Sequence, residues 1–393
     1  MALFLVLSLL LSGVTNVDEN IKGRVLDLNS GEPVGYAHVI IENTSVGTVA
    51  NEDGYFSIIC SDKNAALNLI VTHVGYEKQI VPLKKILTDP TILLKPSVTL
   101  LEEVVVLDKN PFEILQEAAR MKKVNYPAVP TKLTGFYRHG IKIDDKYTQF
   151  LEANLQIVLP HYNLVLDQAK VGREIYVMEA RSFDANNFYS VSPYRLFDDL
   201  FFIPVNEKTY EAEIVNEKSN ESELAIKAVP KNLTSGLPGF LLTIDRKSYA
   251  YKEIQYYIPT EFWSTKPAVE RILETKEGKK SLKESRTKFE VTYSFYDQNG
   301  KWHLKNINQL SKFTINLNNE GSHNVVYVID YVTQNMDDNA KDVNRKNLLE
   351  KSQDLYTLKR KKNSAFWKQY PILEPTTEQS KIIEIIETSK EDN

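Results

Sequence analysis

Adjacent carboxylates at Asp198 and Asp199, with histidines at His139 and His161, are the groups in this 393-residue chain best suited to proton transfer. Such groups act together only if the fold brings them into one cleft, with two carboxyls roughly 5–9 Å apart for hydrolysis. Asp198-Asp199 is flanked by Leu196, Phe197, Leu200 and Phe201, which fits the polar side of an apolar cover equally well. The remaining histidines, His38, His73, His303 and His323, complete no HExxH pattern and no spaced Cys/His ligand set. Asp53 lacks the alternating oxygen ligands and distal Glu of a calcium loop, and with Gly54 it reads as a turn. No Gly-rich phosphate loop and no Gly-x-Ser-x-Gly occurs. The expectation is a chain with no catalytic, cofactor-binding or metal-ligating residues, requiring no cofactor.

The bulk numbers point the same way. A net charge of −4, with 42% hydrophobic and 25% charged residues, suits folded domains and gives no reason to expect nucleic acid as a partner. The 21 Tyr and 16 Phe favour half-exposed sheets. One cysteine, Cys60, permits no internal disulfide and reads as a small apolar strand residue. The apolar run from Ala2 to Leu11, followed by Ser12, Gly13 and Thr15, has the length of a signal-peptide core, so 1–17 reads as a signal peptide. No Lys or Arg precedes that run, which leaves a buried N-terminal strand or helix as the other reading. No cysteine follows it to carry a lipid. No other segment approaches the 18 apolar residues of a membrane span, so none is expected in the mature chain.

Stepping from Ile21 to Leu107, short apolar runs alternate with turn residues about every ten positions, which indicates a β-sandwich over 20–107. The turn Asn51-Glu52-Asp53-Gly54 between Gly47 and Ile59 reads as a β-hairpin. Leu67, Leu69 and Val71 alternate with Asn68 and Thr72, giving one buried face.

Gly23-x-Val25, Gly31-Glu32-Pro33, Ala37-x-Val39, Gly47-Thr48, Asp53-Gly54-x-Phe56 and Val74-Gly75-Tyr76-Glu77 together resemble the carboxypeptidase regulatory-like domain. The resemblance implies a transthyretin-like, seven-stranded sandwich that is accessory rather than catalytic, attached to outer-membrane or secreted bacterial proteins. Leu100 to Val106 resembles the exit strand of that domain in TonB-dependent glycan receptors, but too few residues follow for their plug and barrel.

Residues 108–130 read as a linker with one helix, capped by Asn110, with Pro111 at N1 and Glu113 at N3. From 131 to 335 long strand-like runs recur, with turns at Asp245 to Ser248 and at Asn299-Gly300. Their order resembles the lipoprotein-carrier (LolA-like) half-barrel; an ordinary curved antiparallel sheet or a second sandwich fits the pattern equally. Ser192 to Pro204 reads as a short helix or loop covering the sheet. The 336–393 tail reads as helical, over Val343 to Lys362 and again over Glu378 to Ser389. Phe366, Trp367 and Tyr370 pin it down, and Lys359 to Lys362 form a solvated basic end.

The fold class is therefore mainly β: an N-terminal seven-stranded sandwich plus a C-terminal curved antiparallel sheet or half-barrel with short helices. The function expected is that of a periplasmic or outer-membrane-associated, non-catalytic protein, in which the sandwich docks or spaces and the second domain binds a lipid, an envelope protein or a glycan. A hydrolase acting on glycan or peptide and a carbohydrate-binding module are the alternatives.

Overall fold

The computed structural model describes residues 19–42, 44, 46–60, 67–73, 76–96, 110–159, 173–184, 189, 191–197, 200, 203–215, 222–275, 278–317, 321–338, 340, 345–358, 363–370 and 373–389. The apolar N-terminal run, the exit strand Leu100 to Val106, His161, Asp198, Asp199 and the basic run Lys359 to Lys362 lie outside these residues.

Seven strands form the N-terminal part: β1 (Glu19–Asp27), β2 (His38–Ile41), β3 (Gly47–Val49), β4 (Tyr55–Cys60), β5 (Asn68–Thr72), β6 (Gln79–Pro82) and β7 (Thr91–Leu94), with a short helix α1 (Leu83–Thr88) before β7. They make a three-stranded sheet in the order β4-β1-β7 and a four-stranded sheet in the order β3-β2-β5-β6. Period-2 alternation places Ile21, Val25, Phe56, Ile58 and Ile92 from the first sheet in one core with Val39, Leu69 and Val71 from the second. The seven-stranded sandwich is thus present.

The hairpin expected between Gly47 and Ile59 is not. β3 pairs with β2 in one sheet and β4 pairs with β1 in the other. The polar turn is an arch between sheets. Buried Asn51 builds it by accepting the N–H groups of Asp53 and Tyr55 at 3.0 and 2.9 Å. Gly54 takes φ 79°, and a Cβ there would collide with the Val25 carbonyl. A local turn sequence serves hairpin and arch alike; the choice falls to the apolar residues Phe56 and Ile58, which face the other sheet's core.

Helix α2 (Pro111–Asn125) starts as its sequence requires, with the Asn110 side chain accepting from Phe112 N at 3.0 Å. It is not a free linker, since Ile114, Leu115 and Ala118 pack into the larger core. Eleven strands follow: β8 (Thr131–Ile143), β9 (Lys146–Leu159), β10 (Glu174–Asp184), β11 (Tyr210–Ile214), β12 (Glu223–Pro230), β13 (Gly239–Asp245), β14 (Tyr251–Tyr257), β15 (Val269–Thr275), β16 (Gly278–Gln298), β17 (Lys301–Leu317) and β18 (Ser322–Asp337). A short helix α3 (Thr260–Ser264) lies between β14 and β15. They form one open antiparallel sheet, β10-β9-β8-β18-β17-β16-β14-β13-β12-β11, with β15 also paired to β16. The β16–β17 turn has Asn299 and Gly300 at positive φ, as an Asn-Gly hairpin demands.

One face of this sheet is apolar, from Ile175 on β10 through Leu151, Tyr137, Tyr331, Leu304 and Tyr293 to Leu242 and Ile226. Gly135 sits under the Tyr331 ring, where any Cβ would clash. The described residues between Ser192 and Pro204 cover the sheet as their sequence suggests: a 3-10 turn, Pro193–Phe197, buries Tyr194, Leu196 and Phe197. The α-helix expected over Val343 to Lys362 is absent from the described residues there. They form 3-10 turns at Arg345–Asn347 and Leu355–Thr357, because Leu349 and Leu355 must both reach the apolar face. Two short helices end the chain, α4 (Ser364–Gln369) and α5 (Thr377–Thr388), the latter opened by a Thr376/Gln379 capping box. Of its isoleucines Ile386 is buried and Ile385 is exposed.

Candidate functional site

The opposite face of the sheet carries charge. Strand register sets Asn308, Asp330, Arg138, Glu152 and Arg181 side by side across β17, β18, β8, β9 and β10. Each alternates with a core residue, so all five project away from the apolar face. Arg138 donates to Glu152 Oε1 through Nε at 2.8 Å and Nη2 at 2.6 Å, and Arg181 Nε donates to Glu152 Oε2 at 2.7 Å. Arg138 and Glu152 are 3% and 1% exposed, so solvent screens this pair little. Asn308 Nδ2 donates to Asp330 Oδ1 at 2.6 Å; burial nevertheless raises the Asp330 pKa to about 6.

The sandwich and the segment that carries Trp367, Leu373 and Glu387 cover this row. The Arg181 guanidinium stacks on Trp367 at 4.6 Å and also pairs with Glu387, while Arg138 Nη2 donates to the Leu373 carbonyl at 2.8 Å. From the sandwich, Tyr36 and Val49 join Phe136, Val332, Trp367 and Leu373 in a small apolar cluster. Asn51 donates to the Glu374 carbonyl at 3.0 Å, and Lys22 pairs with the Glu374 carboxylate at 2.5 Å. His38 Nε2 lies 2.8 Å from Asn306 Oδ1. Sandwich, sheet and C-terminal segment therefore share one junction. Lys305 is buried close to it on a bulge of β17; its Nζ has no hydrogen-bond partner, and burial lowers its pKa well below the usual lysine value.

Of the four groups singled out for proton transfer, only His139 lies among the described residues. His139 is fully buried on the apolar face, its Nδ1 3.0 Å from Tyr356 Oη and its ring edge-on to Tyr327. Burial drops its pKa to about 3, so it stays neutral and out of reach of a substrate. His38 is a junction residue, and His73 lies against Tyr76. Among the described residues no group of three or more His, Cys, Asp or Glu could hold a metal ion. No helix among them is long and apolar enough to cross a membrane.

The apolar face is filled by the chain itself. Ile114, Leu115 and Ala118 of α2, then Val191, Tyr194, Phe197 and Leu200, then Leu349 and Leu355, pack against it. Tyr194 donates to the Leu349 carbonyl at 2.6 Å and the Asp354 carboxylate accepts from Val191 N at 3.0 Å, which ties two covering segments together. A recess of about 150 Å³ remains beside α2, with Lys122 in its wall.

Sequence reasoning missed Arg138, Glu152, Arg181, Asp330, Lys305 and Lys122. The signal available was a charged residue inside an otherwise apolar strand or helix face, as in Phe136-Tyr137-Arg138-His139 and Leu304-Lys305-Asn306-Ile307. Register, which only the sheet supplies, converts those isolated charges into a row.

Residues 21–106 match the sequence model of the CarboxypepD_reg-like domain. A curated relative, the TonB-dependent receptor SusC of Bacteroides thetaiotaomicron, is 32% identical over 111 residues, covering 27% of this chain and 10% of the receptor. The chain thus spans about a tenth of the length of the relative it matches. Among solved structures, a domain named as an outer membrane lipoprotein-sorting protein of Vibrio parahaemolyticus aligns with TM-score 0.27 and 9% identity, over 60% of this chain and 95% of that one. A LolA superfamily protein of Nitrosomonas europaea aligns with TM-score 0.23 and 11% identity, over 61% and 97%. At these scores neither alignment carries a functional conclusion.

Proposed function

We propose that this chain is a non-catalytic binding protein of the cell envelope whose partner is another protein, contacted through the sandwich and held at a fixed angle by the eleven-stranded sheet. The filling of the sheet's apolar face supports this reading most directly, because a lipid would need the volume that α2, Val191, Tyr194, Phe197 and Leu200 occupy. Among the described residues, six of the eleven large exposed apolar side chains (Leu28, Val46, Tyr55, Ile80, Leu87 and Leu93) belong to the sandwich, which is much the smaller part. Tyr55 and Leu93 lie on the edge strands of the β4-β1-β7 sheet. An envelope location draws support from the CarboxypepD_reg-like match, from the TonB-dependent receptor relative and from the apolar run Ala2 to Leu11. The shared junction supports a mount rather than a flexible tether.

Photo-crosslinking residues at Leu93 and, as a control on the far hairpin, at Val269 test the reading in intact source cells. A discrete protein adduct from position 93 and none from 269 is the expected result. Stoichiometric lipid retained by the purified chain in native mass spectrometry, with no adduct from position 93, overturns it.

A further inference from the structure

A cavity of about 380 Å³ lies on the outward face of the eleven-stranded sheet, where β12, β14, β16 and the start of α3 meet. Gly239, Tyr257 and Glu290 are register partners across β13, β14 and β16. Their neighbours Phe240, Tyr256 and Val291 sit on the core face, so this row points away from the core. Gly239 makes the site. Its bare backbone lets the Tyr257 ring lean across β13, with Cζ and Oη only 2.5 and 2.7 Å from where a Cβ would stand. Val229, Leu233 and Ile258 are half-buried in the wall beside that ring. The exposed rim is polar, with Lys227, Thr260, Glu261 and Thr287.

We propose that this cavity binds a neutral sugar, with the Tyr257 ring as the platform for one face of it. A sugar ring presents C–H groups on its faces and hydroxyls around its edge. The cavity has the same division, with aromatic and aliphatic side chains inside and a polar rim. Its volume lies near the small end of the roughly 300–1,000 Å³ of ligand pockets, which suits one or two sugar rings. Charge narrows the class. Two lysines and two glutamates line the cavity, so it offers an incoming molecule no net charge. The lysines are also engaged: Lys288 pairs with Glu290 at 2.9 Å and Lys227 with Glu213 at 3.7 Å. A carboxylate or ammonium ligand has to break such a pair. A hydroxyl joins it intact, donating to the carboxylate and accepting from the ammonium. Burial, reinforced by the Glu261 carboxylate, raises the Tyr257 pKa, so its hydroxyl stays protonated and adds a further donor and acceptor. The same sugar chemistry reaches the site either as a small free saccharide or as part of a longer glycan.

Saturation-transfer NMR titrations on the full chain test this with cellobiose, isomaltose and N,N′-diacetylchitobiose, and with the cationic dimer of glucosamine and the anionic dimer of galacturonate. The expected result is saturable binding of at least one neutral disaccharide below about 10 mM, and binding weaker by about tenfold or more for both charged dimers. Tyr257→Leu keeps an apolar side chain but removes the ring, and it weakens binding by about tenfold or more. Thr260 is exposed at the rim, so Thr260→Trp fills the mouth without touching the core and abolishes binding. Tighter binding of the matching tetrasaccharide than of the disaccharide assigns the source to a glycan chain; equal or weaker binding assigns it to a small saccharide. No saturable binding of any of the three neutral disaccharides by about 10 mM, a charged dimer bound as tightly as the neutral ones, or unchanged binding in either variant overturns the proposal. None of these results bears on the sandwich surface, which position 93 reports separately.

Discussion

Arg138 and Glu152 face each other as register partners on β8 and β9, and the same carboxylate receives Arg181 from β10 on its other oxygen. Glu152 is thus the single anion between two guanidinium groups in a place water barely reaches. Glu152→Gln takes the paired carboxylate from buried Arg138 and leaves Arg181 with Glu387 alone, and lowers stability by about 3–5 kcal/mol, measured by urea unfolding. Replacing Arg138 and Glu152 together by Met and Leu costs much less, because the buried guanidinium goes with its carboxylate and Arg181 keeps Glu387.

Lys122 works against the fold. Its pKa falls from 10.5 to about 8, so the unfolded chain binds the proton more tightly. The penalty is present in full below pH 8 and is relieved as pH rises from 8 to 10.5. Lys122→Met, which keeps the apolar stem, stabilises the protein at pH 7 by about 3 kcal/mol. The gain shrinks toward pH 10.5. Thermal unfolding of both forms across that range is the measurement.

Acid acts through groups of opposite sign, of which His139 and Asp330 are one pair. His139 keeps its proton off until about pH 3 in the fold, whereas the unfolded chain takes it near 6.5, so stability falls between those values. Asp330 holds its proton up to about pH 6 against 3.8 unfolded, so stability rises as pH drops through that interval. The two partly cancel between pH 6 and 4, and the net loss steepens below 4. In His139→Phe the falling limb becomes shallower by the share of His139 in pH-dependent urea titrations, while His38 and His303, whose pKa values burial also lowers, keep the rest.

Gly135 has no room for a methyl group, because the buried Tyr331 ring lies over it and Phe197 packs edge-on to that ring at 5.1 Å. Gly135→Ala costs about 1–3 kcal/mol. A Gly135→Ala, Tyr331→Leu double variant recovers part of the loss, since the smaller side chain clears the added carbon.

The sequence makes legible what depends on local pattern. Asn110 and Pro111 announce α2, Asn299-Gly300 announces the long hairpin, and the alternation at Leu69 and Val71 shows which side of β5 is buried. Partner choice is another matter. Gly54 marks a turn without saying that the two strands it joins belong to different sheets. Leu349 and Leu355 sit in a polar, helix-compatible stretch, and only their shared target on the sheet explains why no helix forms. The charged row was hidden for the same reason, since Arg138 and Asp330 are neighbours through β8–β18 pairing across a long gap in sequence.

That pairing also sets a timetable for the newborn chain. β8 lies in the interior of the sheet, yet the strand that closes one of its flanks begins at Ser322, about 180 residues after Ile143 leaves the ribosome. At 5–20 residues per second the wait is about 10–40 s. Through that interval Thr131 to Ile143 has an open hydrogen-bonding edge, and the residues that weld the halves together, Trp367 and Leu373, come later still. The joining of β8 to β18 is therefore a late event, at the slow pace that distant strand pairings impose.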